Sequence, residues 1–175
     1  MICKHMLALL FTAEPETVEN FLKEVEKYFL EVTEMQDNKQ SLDRFIKAQE
    51  WDYENALAEI KEGHKRSHWI WYIFPQIQGL GYSSMSQFYA IKDITEARAY
   101  IEHPVLGQRL IEISGELLKL PLNDAEDVMG YPDDMKLKSC MTLFSLVSDN
   151  SVFQKVLDKF FDGEKDRFTI ERLNR

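Results

Sequence analysis

The chain has 175 residues, of which 21 are Lys or Arg and 30 are Asp or Glu, so its formal net charge is −9. That length favours one domain with a substantial core, and the contents of 45% hydrophobic and 29% charged residues are those of a water-soluble globular protein. The acidic balance argues against general nucleic-acid binding and against docking on an anionic membrane, because both require a broad cationic surface.

Cysteine usage and the N-terminal residues favour a cytoplasmic protein. Cys3 and Cys140 are too few for a disulfide framework or a zinc site, so we predict no metal and no cofactor, and expect Cys140 to be a buried thiol. The apolar part of residues 1–11 is shorter than that of a secretion signal, and we interpret it as a structural or poorly ordered terminus. No stretch approaches the ~20 apolar residues of a membrane span.

The first predicted helix, residues 15–35, has an apolar stripe with alternating spacings of four and three residues, which is the coiled-coil interval. The stripe consists of Val18, Leu22, Val25, Phe29 and Val32. Two heptads are too few for a free-standing coil, so this helix needs a partner. Either it packs on its own domain or it forms a homodimer contact, and the sequence leaves both open. A polar link at residues 37–40 follows.

Further short helices are predicted along the rest of the chain from helical periodicity, capping residues and the placement of Gly and Pro. One opens at Ser41, and the others lie at about 52–62, 67–74, 84–90, 95–103, 104–118, 123–129, 132–147 and 151–161. Short helices with tight turns cannot form a simple up-and-down bundle. We therefore predict an all-α single domain, an irregular orthogonal array of about eight or nine helices.

A stretch without acids separates Glu62 from Asp93, although the chain has 30 acidic residues. If Ser67 caps a helix, backbone N–H groups at the helix start, together with Lys65 and Arg66 just before it, form an anion site. A phosphate or a carboxylate would fit such a site.

Aromatic residues and His68 follow in the same stretch. His68 is the acid/base candidate, because imidazole titrates near neutral pH. Trp71 and Tyr72 share its helix face and can stack on a base or sugar ring, and Gln76 offers an amide in the glycine-containing loop 76–84. The alternative is that the aromatic residues are core, His68 is a buried imidazole, the two cations are solvated and the loop is an ordinary turn.

A second group of candidates begins the predicted helix at 132–147. Asp133 and Lys136 are interpreted as a pair that assists the first group in catalysis, while Asp134 and Lys138 have the spacing of an ordinary i,i+4 helix pair. The alternative is that the acids stabilise the helix start through its dipole and that the lysines are surface residues.

Eight stretches of the chain carry a resemblance to known sequences, namely residues 65–76, 79–81, 84–86, 89–91, 96–100, 103–107, 109–110 and 130–144. They resemble a bacterial family catalogued as a domain of unknown function, some members of which are labelled calpastatin. The resemblance covers about residues 41–173 and implies an all-α single domain like that of a mycobacterial member, with no activity implied. Residues 1–40 look like an N-terminal extension, and 41–175 form the family domain.

Two functions remain open from the sequence, which does not decide whether the protein is an enzyme. The first is a pocket that binds a small anionic, ring-bearing metabolite such as a nucleotide or sugar phosphate, with hydrolysis or group transfer as the reaction if there is one. The second is a non-catalytic module that binds a protein through the N-terminal helix and the aromatic segment. A homodimer through residues 15–35 also stays open, and neither nucleic acid nor membrane is expected as a partner.

Overall fold

Nine helices account for most of the part of the chain that the computed structural model describes, which is the backbone of residues 15–174 and the side chains of residues 18–29 and 42–174. The helices are α1 Pro15–Lys61, α2 Ile70–Ile73, α3 Ser84–Phe88, α4 Ile94–Glu102, α5 Leu106–Lys119, α6 Ala125–Met129, α7 Asp133–Val147, α8 Val152–Phe161 and α9 Arg167–Leu173. Within residues 15–174 there is no strand, and one isolated parallel bridge joins Ile77 to Ile91. The predicted all-α fold is confirmed.

The chain divides into two compact units, residues 1–40 and residues 41–175, which are described separately. In the first unit, Leu22 of the apolar stripe is 52% exposed, and Lys23 forms an ion pair with Glu19 at 2.8 Å. The predictions made for residues 1–11, for Cys3 and for the side chain of Val32 lie outside the described residues. None of the helices between residues 15 and 174 has the length and apolarity needed to cross a bilayer.

The backbone is helical throughout Pro15–Lys61, where the sequence predicted a helix, a polar link and two further helices. Those boundaries were wrong, because Ser41 and Asp52 lie inside a helix instead of at its start. The physical reason is that no Gly or Pro occurs at residues 16–62. Polar residues such as Asn38 lower helix propensity by less than about 1 kcal/mol each, which weakens a helix without ending it.

A chain of aromatic side chains runs through the core of the second unit. The ring of Phe45 on α1 lies 5.0 Å from that of Tyr100 on α4, Tyr100 lies 5.4 Å from Phe144 on α7, and Phe144 lies 5.7 Å from Phe153 on α8. All four residues are completely buried. Cys140 is a free, buried thiol as predicted, and its burial raises the pKa of the thiol well above the usual value.

The last helix, α9, was not predicted from the sequence. Its start is fixed by Asp166, whose carboxylate accepts hydrogen bonds from the backbone N–H of Thr169 at 2.9 Å and from the Thr169 hydroxyl at 2.6 Å. The signal was present, because Asp is one of the residues preferred at a helix N-cap. This helix contributes one wall of the cleft described below.

Candidate functional site

The segment that connects α1 to α2 is anchored by a buried carboxylate. Glu59 is 3% exposed and accepts hydrogen bonds from the backbone N–H of Arg66 at 2.8 Å, from the backbone N–H of Ser67 at 3.1 Å and from the indole N–H of Trp69 at 2.8 Å. The Ser67 hydroxyl also donates to Glu59. Burial by itself raises the pKa of Glu59, but these hydrogen bonds outweigh it and lower the pKa to about 2.

The predicted anion site at the start of this helix is therefore filled by the protein's own carboxylate. Helix α2 begins at Ile70 with Trp69 at the N-cap, so the prediction that Ser67 caps the helix was wrong. Of the backbone N–H groups expected to be free for a phosphate, that of Ser67 is bonded to Glu59, as is the N–H of Arg66 just before it. Because the anion comes from α1, outside the stretch that lacks acids, the local sequence gave no sign of it.

Three other predicted residues of this segment lie in different surroundings. The Arg66 guanidinium is exposed and pairs with Glu62. His68 is an exposed side chain, not a buried imidazole, and its backbone carbonyl accepts a 3.3 Å hydrogen bond from the Tyr72 hydroxyl. Tyr72 is buried and also donates to Asp52 at 2.5 Å; burial and this carboxylate raise the pKa of its phenol. Tyr72 thus contacts the backbone of His68, whereas the side chain of Arg66 is paired with Glu62.

A cluster of two lysines on one carboxylate joins the two groups of candidate residues. Lys65 Nζ lies 2.6 Å from Asp133 Oδ2, and Lys136 Nζ lies 2.8 Å from Asp133 Oδ1. Lys136 Nζ also lies 4.7 Å from the ring centre of Trp71, within cation–π range. We call Lys65, Asp133 and Lys136 the Lys–Asp–Lys cluster. Burial raises the pKa of Asp133, but the hydrogen bonds from Lys136 and Lys65 outweigh it and lower that pKa.

A cleft of about 520 Å³ lies next to this cluster. Its walls come from the loop after α2, the first half of α7 and the last helix, and we call it the basic cleft. The residues that line it are Gln76, Gly79, Leu80, Gly81, Tyr82, Ser86, Pro132, Met135, Lys136, Lys138, Ser139, Asp166, Phe168 and Arg172. Two sequence-predicted residues, Gln76 and Lys136, therefore line the cleft, whereas Lys65, Arg66, Ser67, His68, Tyr72 and Asp133 do not.

Several lining residues were missed by the sequence analysis or assigned another role. Lys138 was assigned to a helix pair with Asp134, but its Nζ lies 3.3 Å from Glu164 Oε2. Phe168 and Arg172 belong to α9, which was not predicted. Tyr82 sits beside the glycines of the loop and is 91% exposed, so its exposed ring gave no periodic signal.

The chemistry of the cleft suits an anion attached to a flat or apolar group. Lys136, Lys138 and Arg172 supply three cations, and Tyr82 and Phe168 supply exposed rings. Asp166 is the one acid among the lining residues, and its Oδ2 already accepts hydrogen bonds from Thr169 and Ser139. A smaller cavity beside the cleft is lined by Trp71, Gln76 and Tyr89 among others, so Trp71 lies at the edge of the same region.

Comparison with known proteins supports the family assignment and names no activity. A family model described as "Protein of unknown function (DUF1810)" matches residues 39–173. The chain is similar to the crystal structure of the conserved hypothetical protein Rv1873 from Mycobacterium tuberculosis, with 41% sequence identity and a TM-score of 0.75 over 77% of this chain and 96% of that one. No curated protein matches the chain. The chain therefore belongs to the DUF1810 family.

Proposed function

We propose that the basic cleft binds a small anionic molecule with a ring, such as a nucleotide or a sugar phosphate. The observation that supports this most strongly is the convergence of Lys136, Lys138 and Arg172 on one cleft in a chain whose net charge is −9. The volume of about 520 Å³ falls within the range of about 300–1,000 Å³ that is usual for small-molecule sites.

The positive charge of the cleft is only partly neutralised. The Lys–Asp–Lys cluster has two ammonium groups on one carboxylate, so it retains one positive charge. Lys138 Nζ lies 3.3 Å from the carboxylate of Glu164, a side chain that is 76% exposed. Water screens such a pair, so the attraction between the two charges is weak. An incoming phosphate therefore meets, in Lys136, a cation that Asp133 already holds in place, which lowers the entropic cost of binding.

Exposed apolar side chains around the cations supply surface for the ring of the ligand. Phe168 is 66% exposed and Met135 is 55% exposed, in addition to Tyr82. A base or a sugar face placed against these side chains removes apolar surface from water, and an aromatic pair contributes about 0.5–1.5 kcal/mol beyond that burial. Phosphate and ring would thus be recognised by different parts of one cleft.

The catalytic roles of His68, Asp133 and Lys136 remain predictions. Lys136 is the one of the three that lines the cleft, and its charge would orient a phosphate or stabilise developing negative charge. Both carboxylate oxygens of Asp133 are bonded to lysines, so its role in the proposal is to position Lys136. His68 would act only on a ligand that extends beyond the residues that line the cleft.

Titration calorimetry with adenosine 5′-monophosphate and glucose 6-phosphate tests the proposal. We expect at least one of these two ligands to bind. Lys136→Ala should raise its Kd about tenfold, because a charge-assisted hydrogen bond to phosphate is lost. Lys138→Ala should also raise the Kd, and this variant remains informative if Lys136→Ala folds poorly. The matched control is Lys155→Ala, which removes an exposed lysine on α8 and should leave the Kd unchanged. Absence of binding, or equal losses in all three variants, would contradict the proposal.

A second proposal is that the N-terminal helix contacts another protein, with a second copy of the chain as the simplest partner. Leu22 and Tyr28 are 52% and 63% exposed in the first unit. The aromatic segment proposed to assist this contact is a poor candidate, because Trp69 and Phe74 are completely buried. We expect Leu22→Asp to shift a dimer toward monomer in sedimentation velocity, and the off-stripe control Glu26→Ala to leave the distribution unchanged. A wild-type monomer at high micromolar concentration would rule out the dimer.

A further inference from the structure

A second cleft, of about 630 Å³, adjoins the basic cleft. It is lined by Ile77, Gln78, Gly79, Lys92, Asp93, Ile94, Thr95, Arg172 and Leu173. Gly79 and Arg172 line both clefts, so the side chain of Arg172 stands at the boundary between them. We call this second space the α4 cleft, because the start of α4 forms one of its walls.

The Arg172 guanidinium is seated on Gly79. A Cβ atom at Gly79 would lie only 2.9 Å from Cζ of Arg172 and 3.1 Å from its Nε, so the space of the missing side chain is occupied by the guanidinium. The backbone φ of Gly79 is +92°, a conformation that favours glycine. Glycine at this position thus leaves room for the Arg172 guanidinium at the junction of the two clefts.

The guanidinium of Arg172 keeps most of its hydrogen-bonding capacity for a ligand. One N–H group points to the Gly79 carbonyl at 3.3 Å. Among the residues that the structure describes, no carboxylate lies within ion-pair distance of it. A guanidinium has five N–H donors in a planar fork that matches two oxygens of a phosphate group.

Each cleft has its own cation and its own apolar wall besides Arg172. The α4 cleft has Lys92 and the partly exposed side chain of Ile94, which is 40% exposed. The acid in its wall, Asp93, caps α4 by accepting a 2.9 Å hydrogen bond from the backbone N–H of Glu96. The α4 cleft therefore offers one cation and an aliphatic wall, the basic cleft offers two lysines and two exposed rings, and Arg172 is shared by both.

We propose that the two clefts bind one ligand made of two ring-bearing parts joined by a phosphate or pyrophosphate group, with the joining group on Arg172. This inference rests on the proposed function of the basic cleft. A ligand with one ring and a terminal phosphate fills one cleft and leaves the other empty, whereas a joined ligand fills both and places its central charge on the shared guanidinium. A long polyanion is disfavoured, because the net charge of −9 repels an extended run of phosphates.

The test compares a joined ligand with one of its halves. Adenosine 5′-monophosphate and P1,P2-di(adenosine-5′) diphosphate are titrated into wild-type protein and into Lys92→Ala, Arg172→Ala and the control Lys155→Ala. We expect the joined ligand to bind with one molecule per chain and at least tenfold more tightly than the monophosphate. Lys92→Ala should lower the ratio of the two affinities about fivefold. Arg172→Ala should weaken the binding of both ligands.

The outcomes separate the two proposals. If the monophosphate binds and depends on Lys136 but the joined ligand binds no more tightly, the joined-ligand inference is wrong and the basic cleft stands. The inference also fails if Lys92→Ala leaves the ratio of affinities at its wild-type value. If neither nucleotide binds to wild-type protein, the joined-ligand inference fails as well, and the proposed function then depends on the sugar phosphate alone.

Discussion

Replacing Glu59 with Gln is expected to lower the free energy of unfolding by about 3–5 kcal/mol at pH 7. The carboxylate accepts hydrogen bonds from two backbone N–H groups and from the indole of Trp69, a side chain that is completely buried. All three bonds go to Oε2, while Oε1 accepts from the Ser67 hydroxyl and, at 3.2 Å, from the Asn55 amide. A glutamine keeps its carbonyl oxygen at the Oε2 position only by placing its NH2 group against the partners of Oε1. The Asn55 amide then loses this acceptor, and the charge that strengthens the other bonds is lost.

The effect of this substitution should depend on pH in a defined direction. The pKa of Glu59 in the folded protein is about 2, below its ordinary value of 4.5, so the carboxylate contributes its full stabilisation above about pH 4.5. This stabilisation is lost as the pH falls toward 2, where the folded state also becomes protonated. Urea unfolding followed by tryptophan fluorescence should show a large difference between wild type and Glu59→Gln at pH 7 and a smaller one at pH 3.

The matched control is Glu62→Gln, directly after the C-terminal end of α1. Glu62 pairs with Arg66 through side chains that are 57% and 55% exposed, and such pairs are screened by solvent. Its unfolding midpoint should stay at the wild-type value at both pH values. Equal behaviour of the two variants would show that the Glu59 carboxylate does not anchor the segment between α1 and α2.

The fold could be predicted from the sequence to a large extent because helical periodicity is a local signal. Phe45, Leu57 and Ile60 on α1 are all buried. The helices predicted at about 84–90 and 123–129 are present as Ser84–Phe88 and Ala125–Met129. The helix boundaries predicted within α1 were wrong for a different reason. Polar residues locally favour a link between helices, but each lowers the stability of an uninterrupted helix only slightly.

The candidate site was less predictable because its contacts join residues that are distant in sequence. Lys65 and Asp133 are 68 positions apart and meet at 2.6 Å, and no spacing rule connects them. The stretch without acids has a physical explanation in the structure: its donors are satisfied by Asp52, Glu59 and Asp133, which all lie outside it. Acids within the stretch would have competed for the same lysines and backbone groups.

Replacing Gly107 with Ala is expected to destabilise the protein by about 3 kcal/mol, because the methyl group would collide with backbone atoms. A Cβ at Gly107 would lie 1.9 Å from the carbonyl oxygen of Ile101 and 2.8 Å from its carbonyl carbon. A flexible side chain can rotate away from such a contact, but a carbonyl in the last turn of α4 cannot. The start of α5 is also held in place by its Gly107 N–H, which donates to the His103 carbonyl at 2.9 Å.

Gly115→Ala, in the same helix, is the control that separates this collision from the general effect of removing a glycine. No atom lies within 4 Å of a Cβ placed at Gly115, so alanine should raise helix stability by about 0.5–1 kcal/mol. The two variants carry the same chemical change in one helix and should shift the urea midpoint in opposite directions. A stable Gly107→Ala would mean that α4 and α5 are further apart than this contact implies, since no rearrangement of side chains alone relieves it.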